Sequence, residues 1–159
     1  MSPPIKKTAA MKTILPLLLC AFVGTLSAQT YTITDLGPLA GAPTYAMAIN
    51  ENGVIAGYSQ PDASSARAWI WKNGVGLTDV GSFGGADNRG LFVGPDDRVY
   101  GTSQDGAGVT RGFVWNGVTL ADLGSIAPGD SVFPQGVNGS GTIAGYTTTG
   151  GLLLRLILP

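Results

Sequence analysis

Three aspartates stand at matching places along this chain, each followed by a hydrophobe and a glycine: Asp35-Leu36-Gly37, Asp79-Val80-Gly81 and Asp122-Leu123-Gly124. A ring of such carboxylates around a central channel would suit glycoside hydrolysis, which needs two of them about 5–10 Å apart. The competing role is local: each aspartate accepts a backbone N–H beside the following glycine and closes a turn. Three copies of one group favour the turn, because catalysis seldom needs a group in triplicate.

A second set is aromatic and cationic. Arg67, Trp69 and Trp71 form one run, and Arg111, Phe113 and Trp115 form another. On a strand, residues two apart share a face, so Trp69 pairs with Trp71 and Phe113 with Trp115. An exposed face of this kind would stack sugars or, with arginine, anchor a protein interface. A buried one would be core between units, worth about 1.5–3 kcal/mol for each large side chain. These six residues are the candidate ligand or interface set. Core is the favoured role, with one ring of each pair buried.

Other chemistry is thin. The sequence has no histidine and one cysteine, Cys20. That removes Ser-His-Asp and Cys-His catalysis, the commonest zinc ligand, and thiolate chemistry in any chain cleaved after Cys20. Asp96-Asp97 with Asp105 offers oxygen ligands to calcium, but no EF-hand or nonapeptide pattern surrounds them, and a solvated turn is the favoured reading. Asn138-Gly139-Ser140 fits a glycosylation sequon and is equally an Asn-Gly turn. No catalytic, metal or cofactor-binding residue is assigned, and no cofactor is called for.

The first 28 residues read as a secretory signal peptide. Lys6, Lys7 and Lys12 precede an apolar stretch from Ile14 to Val23, and Leu26-Ser27-Ala28 offers a cut before Gln29. The stretch is short of the roughly 20 residues that span a bilayer. Lipidation at Cys20 is disfavoured, because Leu19 is not small. Residues 29–159 then form one domain with six basic residues against ten acidic ones, a net charge of −4. That balance argues against nucleic acid and gives no attraction to anionic lipid. With 44% hydrophobic residues the chain is not a disordered one.

The elements that must position these groups follow a period. The three Asp-x-Gly marks are 44 and 43 residues apart, and Ile49/Val93/Val137, Ile55/Val99/Ile143 and Gly57/Gly101/Gly145 keep a 44-residue step. Such a period marks small β units that stack to bury their faces. Each unit reads as four strands. In the first they are Ala46–Ile49, Val54–Tyr58, Arg67–Trp71 and Leu77–Val80, with Asn52-Gly53 and Asn73-Gly74 as type I′ hairpin signals. The second gives Leu91–Val93, Arg98–Gly101, Arg111–Trp115 and Leu120–Leu123. The third gives Gln135–Val137, Thr142–Tyr146 and Arg155–Leu158. A lone strand from Tyr31 to Leu36 would complete the third unit and close the ring. The fold expected is all-β, three four-stranded meanders in a β-propeller-like arrangement, with a β-trefoil or β-prism as the alternative.

At Tyr31–Gly37, at Ile49–Tyr58 and at Arg67–Gly74 the sequence resembles the bacterial extracellular HAF repeat. That family's His-Ala-Phe triplet is replaced here: Arg67, Arg111 and Arg155 hold the histidine place, and Trp69, Phe113 and Ile157 the phenylalanine place. The resemblance implies secretion, tandem repetition and a propeller-like stack, and implies no catalytic activity. The function expected is a secreted, non-enzymatic binding module meeting a protein or glycan at the bacterial surface. Pairing of two copies into a six-bladed ring goes with it, as does the absence of a membrane span in the mature chain. The alternatives are a lectin-like carbohydrate binder, and a fragment of a longer propeller enzyme or array.

Overall fold

The computed structural model describes residues 30–148 and 153–156. The chain divides into two compact units, Met1–Thr34 and Asp35–Pro159, and every described strand belongs to the second. The expected leader at 1–28 lies outside the described residues, as do Ile157, Leu158 and Pro159.

Four strands make the first antiparallel meander: β1 (Thr44–Ile49), β2 (Ile55–Asp62), β3 (Ser65–Lys72) and β4 (Gly76–Asp79). The second holds β5 (Gly84–Val93), β6 (Val99–Asp105), β7 (Thr110–Trp115) and β8 (Leu120–Asp122). One parallel bridge, Ala66 to Asp87, joins β3 to β5 and makes the two meanders a single mixed eight-stranded sheet. A separate three-stranded antiparallel sheet holds β9 (Val132–Val137), β10 (Ile143–Thr147) and β11 (Leu153–Leu156). Among the described residues all regular elements are strands, as expected of an all-β chain, and they close neither a barrel nor a ring. No helix among them is long and apolar enough to cross a membrane.

The hairpins turn where Asn-Gly predicts, but by a different geometry. A type I′ turn needs φ > 0 at both central residues. Here no asparagine among the described residues has a positive φ, whereas Gly53, Gly74, Gly117 and Gly141 do. The β1–β2 turn spans residues 50–53: Gly53 N donates to Asn50 O at 3.0 Å and Asn50 N to Val54 O at 3.0 Å. The Asn50 side chain decides the matter, because its Oδ1 accepts Val54 N at 2.9 Å and draws the turn one residue wider. Asn138 repeats this at β9–β10, accepting Ser140 N and Thr142 N.

Two expectations fail. No strand forms over Tyr31–Leu36, so the expected closing strand is missing from the structure. Tyr31 and Ile33 are 79% and 95% exposed, leaving little burial to offset the entropy of ordering them. The Asp35–Gly37 turn and Pro38, which has no N–H to give a ladder, end the run. The last strand also slips. Val99 pairs with Trp115 in the second meander, so the 44-residue step would pair Ile143 with Pro159; Ile143 pairs with Leu156 instead. A proline at that place cannot donate to the ladder.

Each meander holds a glycine facing a β-bulge. Strand register shifts between Ala46 and Ala48 opposite Gly57, between Gly90 and Phe92 opposite Gly101, and opposite Gly145 at Pro134–Gly136. A Cβ on Gly57 would strike the Tyr45 carbonyl and the Trp69 ring. On Gly101 it would strike the Arg89 carbonyl and the Phe113 ring, and on Gly145 the Phe133 carbonyl and the Pro134 backbone. The repeated glycine is therefore a packing requirement, not a turn. Over it the core assembles: Val54, Ala56, Ala68, Ile70 and Val80 of the first meander and its β4–β5 connection meet Val93, Val99, Phe113 and Trp115 of the second.

Gly101→Ala is expected to cost at least about 3 kcal/mol, since its obstacle is backbone that cannot step aside, and to lower the melting temperature by more than about 10 °C. Gly139→Ala, where nothing lies within 4 Å, should change stability by less than about 0.5 kcal/mol. Equal thermal melts for the two variants would contradict this account of the glycine.

Candidate functional site

The three repeated aspartates build turns. Oδ1 of Asp35, Asp79 and Asp122 accepts the N–H of Gly37, Gly81 and Gly124 at 2.9, 2.7 and 2.8 Å. Each glycine has a positive φ, at 75°, 89° and 82°. The short polar side chain mimics a backbone turn, and glycine supplies the left-handed residue it needs.

The aromatic–arginine set is split between core and surface. Trp69 and Phe113 are fully buried, and Trp115 is 8% exposed. Trp71 is half-buried. One ring of the first pair is thus buried, as expected, whereas both rings of the second are. Phe113 and Trp115 face the buried Ala56, Ala68 and Ile70 of the first meander, which covers them. The two arginines also part company. Arg111 is held by Asp105, Nε to Oδ2 at 3.1 Å. Arg67 is exposed and makes no ion pair among the described residues.

The carboxylates considered for calcium turn to protein donors. Asp105 Oδ1 accepts the backbone N–H of Ala107 and Val109, and Oδ2 accepts Arg111. The Val109 and Ala107 amides and Arg111 hold its carboxyl below the ordinary 3.8. Asp96 pairs with Arg98 at 3.1 Å. Among the described residues no three acidic side chains converge on one point.

Asp97 links two meanders. It stands where the β1–β2 turn has Gly53 and the β9–β10 turn has Gly141, with φ at 64° against 73° and 78°. A side chain there costs on the order of 1 kcal/mol. Its Oδ1 accepts Asn50 Nδ2 at 2.8 Å and Asn52 Nδ2 at 3.0 Å, and its Oδ2 takes Lys72 Nζ at 3.0 Å. Asn50 and Asn52 also donate to the carbonyls of Gly94 and Pro95. All three donors come from the first meander, so this carboxylate ties neighbouring turns together. Asn52 first, then Asn50 and Lys72, hold the Asp97 carboxyl below the usual range.

A cleft of about 530 Å³ opens where the first meander meets the second. The β2–β3 hairpin brings Asp62, Ser65 and Arg67, the β4–β5 connection brings Asp79 and Ser82, and β5 brings Asn88. Asn88 is 5% exposed and braces the floor. Its Nδ2 donates to Gly85 O at 3.1 Å and Ala66 O at 3.4 Å, and its Oδ1 accepts Ser103 Oγ, which in turn accepts Phe83 N at 2.9 Å. Oδ1 of Asp62 and of Asp79 is spent on local turns at Ser64 and Gly81. The cleft therefore presents one guanidinium beside two carboxylates and several hydroxyl and amide groups, suited to hydrogen-bonding a polar ligand.

Of the expected ligand residues only Arg67 lines this cleft. Asp62, Ser82 and Asn88 went unnoticed in the sequence because the repeat does not carry them: Asn88 falls where the other units have Thr44 and Val132. The signal available was departure from the repeat, not the repeat itself.

Asp97→Ala should destabilise by roughly 1–3 kcal/mol, because it keeps the strained φ and loses the donors' acceptor. Asp97→Gly should cost visibly less. Since the folded-state pKa is depressed, the carboxylate's contribution is complete above the ordinary value of 3.8 and is lost as pH falls through the folded value. The wild-type advantage over Asp97→Ala in thermal melts should accordingly shrink between pH 7 and pH 3. A gap independent of pH would show that the carboxylate is not what ties the turns.

No family model and no curated protein matches the chain, so what the site does has to be argued from its own chemistry.

Proposed function

We propose that this protein is a secreted, non-enzymatic repeat protein, a propeller-like stack of β meanders that works as a binding module outside the bacterial cell. The resemblance to the HAF repeat and the leader-like residues 1–28 support secretion. The propeller-like reading is supported by the common meander topology and by matched cross-strand rows, Ile55 with Trp71 and Val99 with Trp115.

One observation carries the binding role. Arg67 and Arg111 are counterparts in the repeat, yet Arg111 is neutralised by Asp105 while Arg67 stands without an ion pair at a polar cleft. A guanidinium left open beside hydroxyls and amides is suited to a carboxylate or a polyhydroxylated ligand on a surface protein or glycan. A lectin-like role is the second reading, favoured by the polar lining with its many donors and acceptors. Stacking on Trp69 has no part in either, since that ring is fully buried.

Glycan and acidic-peptide arrays probed with wild type and Arg67→Ala would test this. Binding is expected in the wild type and should fall at least about tenfold in the variant, the scale of a lost charge-assisted hydrogen bond. The melting temperature should stay unchanged, because Arg67 is exposed. Binding that survives Arg67→Ala would move the site elsewhere, and acidic peptides bound without glycans would retire the lectin reading.

A further inference from the structure

The junction between the first two meanders predicts another, between copies of the chain. In the second meander Val93, Val99, Trp115 and Leu120 are successive cross-strand partners, so they share one face. That face packs on the first meander: Val93 is 9% exposed, Val99 0% and Trp115 8%, in one cluster with Ala56, Ala68 and Ile70. The same row in the first meander is Ile49, Ile55, Trp71 and Leu77, linked by the same pairings. Here Ile49 is 67% exposed, and Ile55, Trp71 and Leu77 are half-buried. An apolar row that is core in one meander is therefore only partly covered in another.

The opposite face shows the converse. Ala56 and Tyr100 hold equivalent places on β2 and β6, and both are fully buried, Ala56 against the second meander. Their counterpart on β10, Ala144, is exposed. Beside it Tyr146 is 41% exposed, stacked on Phe133 at 4.9 Å.

The geometry points to a head-to-tail contact in which the Ile49–Ile55–Trp71–Leu77 row of one copy docks on the β9–β10 sheet of a second copy, around Ala144. What covers this row in the second meander is the face of the first that carries Ala56, Ala68 and Ile70. In the third meander of an identical chain the counterpart of Ala56 is Ala144, which is exposed beside Tyr146. The contact continues the interface that already joins the first meander to the second, with Trp71 in the place of a buried anchor. Such a contact is heterologous, and two outcomes follow from its rotation: two copies closing into a ring of six meanders, or an open ladder. Ring closure rests on the propeller-like reading; the docking itself does not.

Light scattering on the purified product of the full chain, over a range of concentration, reads the outcome. We expect twice the monomer mass, with Ile49→Asp and Ala144→Asp each giving monomers. Both positions are exposed in the single chain, so circular dichroism and melting of the variants should match the wild type. Mixing the two variants should restore association, because one clean contact survives between them. A mass growing steadily with concentration, and abolished by either variant, would keep the docking and retire the closed ring. A wild-type monomer would overturn the proposal, and so would a dimer broken by Ile49→Asp but untouched by Ala144→Asp, which would be a symmetric contact instead.

Discussion

The close approach of a bulged edge strand and an aromatic ring to a bare glycine governs this molecule. Gly57 and Gly101 lie under Trp69 and Phe113, with the carbonyls of Tyr45 and Arg89 where a Cβ would be. Without that approach the Phe113 ring would have to rise off the sheet, and the face it flattens would no longer fit Ala56, Ala68 and Ile70 of the first meander. A glycine inside a strand normally weakens it. Here the loss is offset by two large rings brought to full burial.

The stack does not depend on the core alone. Hydrophobic burial has no direction, so it fixes that two meanders meet but not how they are rotated. The polar contacts at the rims supply the direction. Asp97 reaches from the β5–β6 turn to Asn50, Asn52 and Lys72 of the first meander, and Asn88 joins Ser103 to the Ala66 carbonyl. Both residues sit where the other units carry something else, glycine in one case and threonine or valine in the other. The departures from the repeat lock the junction, and one of them shapes the cleft beside Arg67.

Charge is used sparingly and mostly locally. The four ion pairs among the described residues join partners that are each partly exposed, so each adds little to stability by itself. Their more specific effect is to decide which arginines are committed. Arg89 leans over the Tyr58 ring at 4.8 Å while bound to Asp87, Arg98 is held by Asp96 and Arg111 by Asp105. Arg67 is left facing solvent at the cleft.

Much of the fold was legible in the sequence, because strand order depends on local signals: alternation of apolar residues, Asn-Gly at the turns, and a 44-residue step that places Ile55, Val99 and Ile143 in equivalent strands. The turn role of Asp35, Asp79 and Asp122 was legible for the same reason, since both partners lie within three residues. What the sequence could not decide was set by contacts between distant residues. Trp69 is core and Trp71 half-buried although they share a strand face, because burial depends on what packs against each ring. The Tyr31–Leu36 run has a strand's alternation yet forms none, because a strand needs a partner ladder as well as a pattern. The cleft had no motif of its own in the sequence: Asp62, Arg67, Asp79 and Asn88 come together only when β2–β3 and β5 are joined at Ala66 and Asp87.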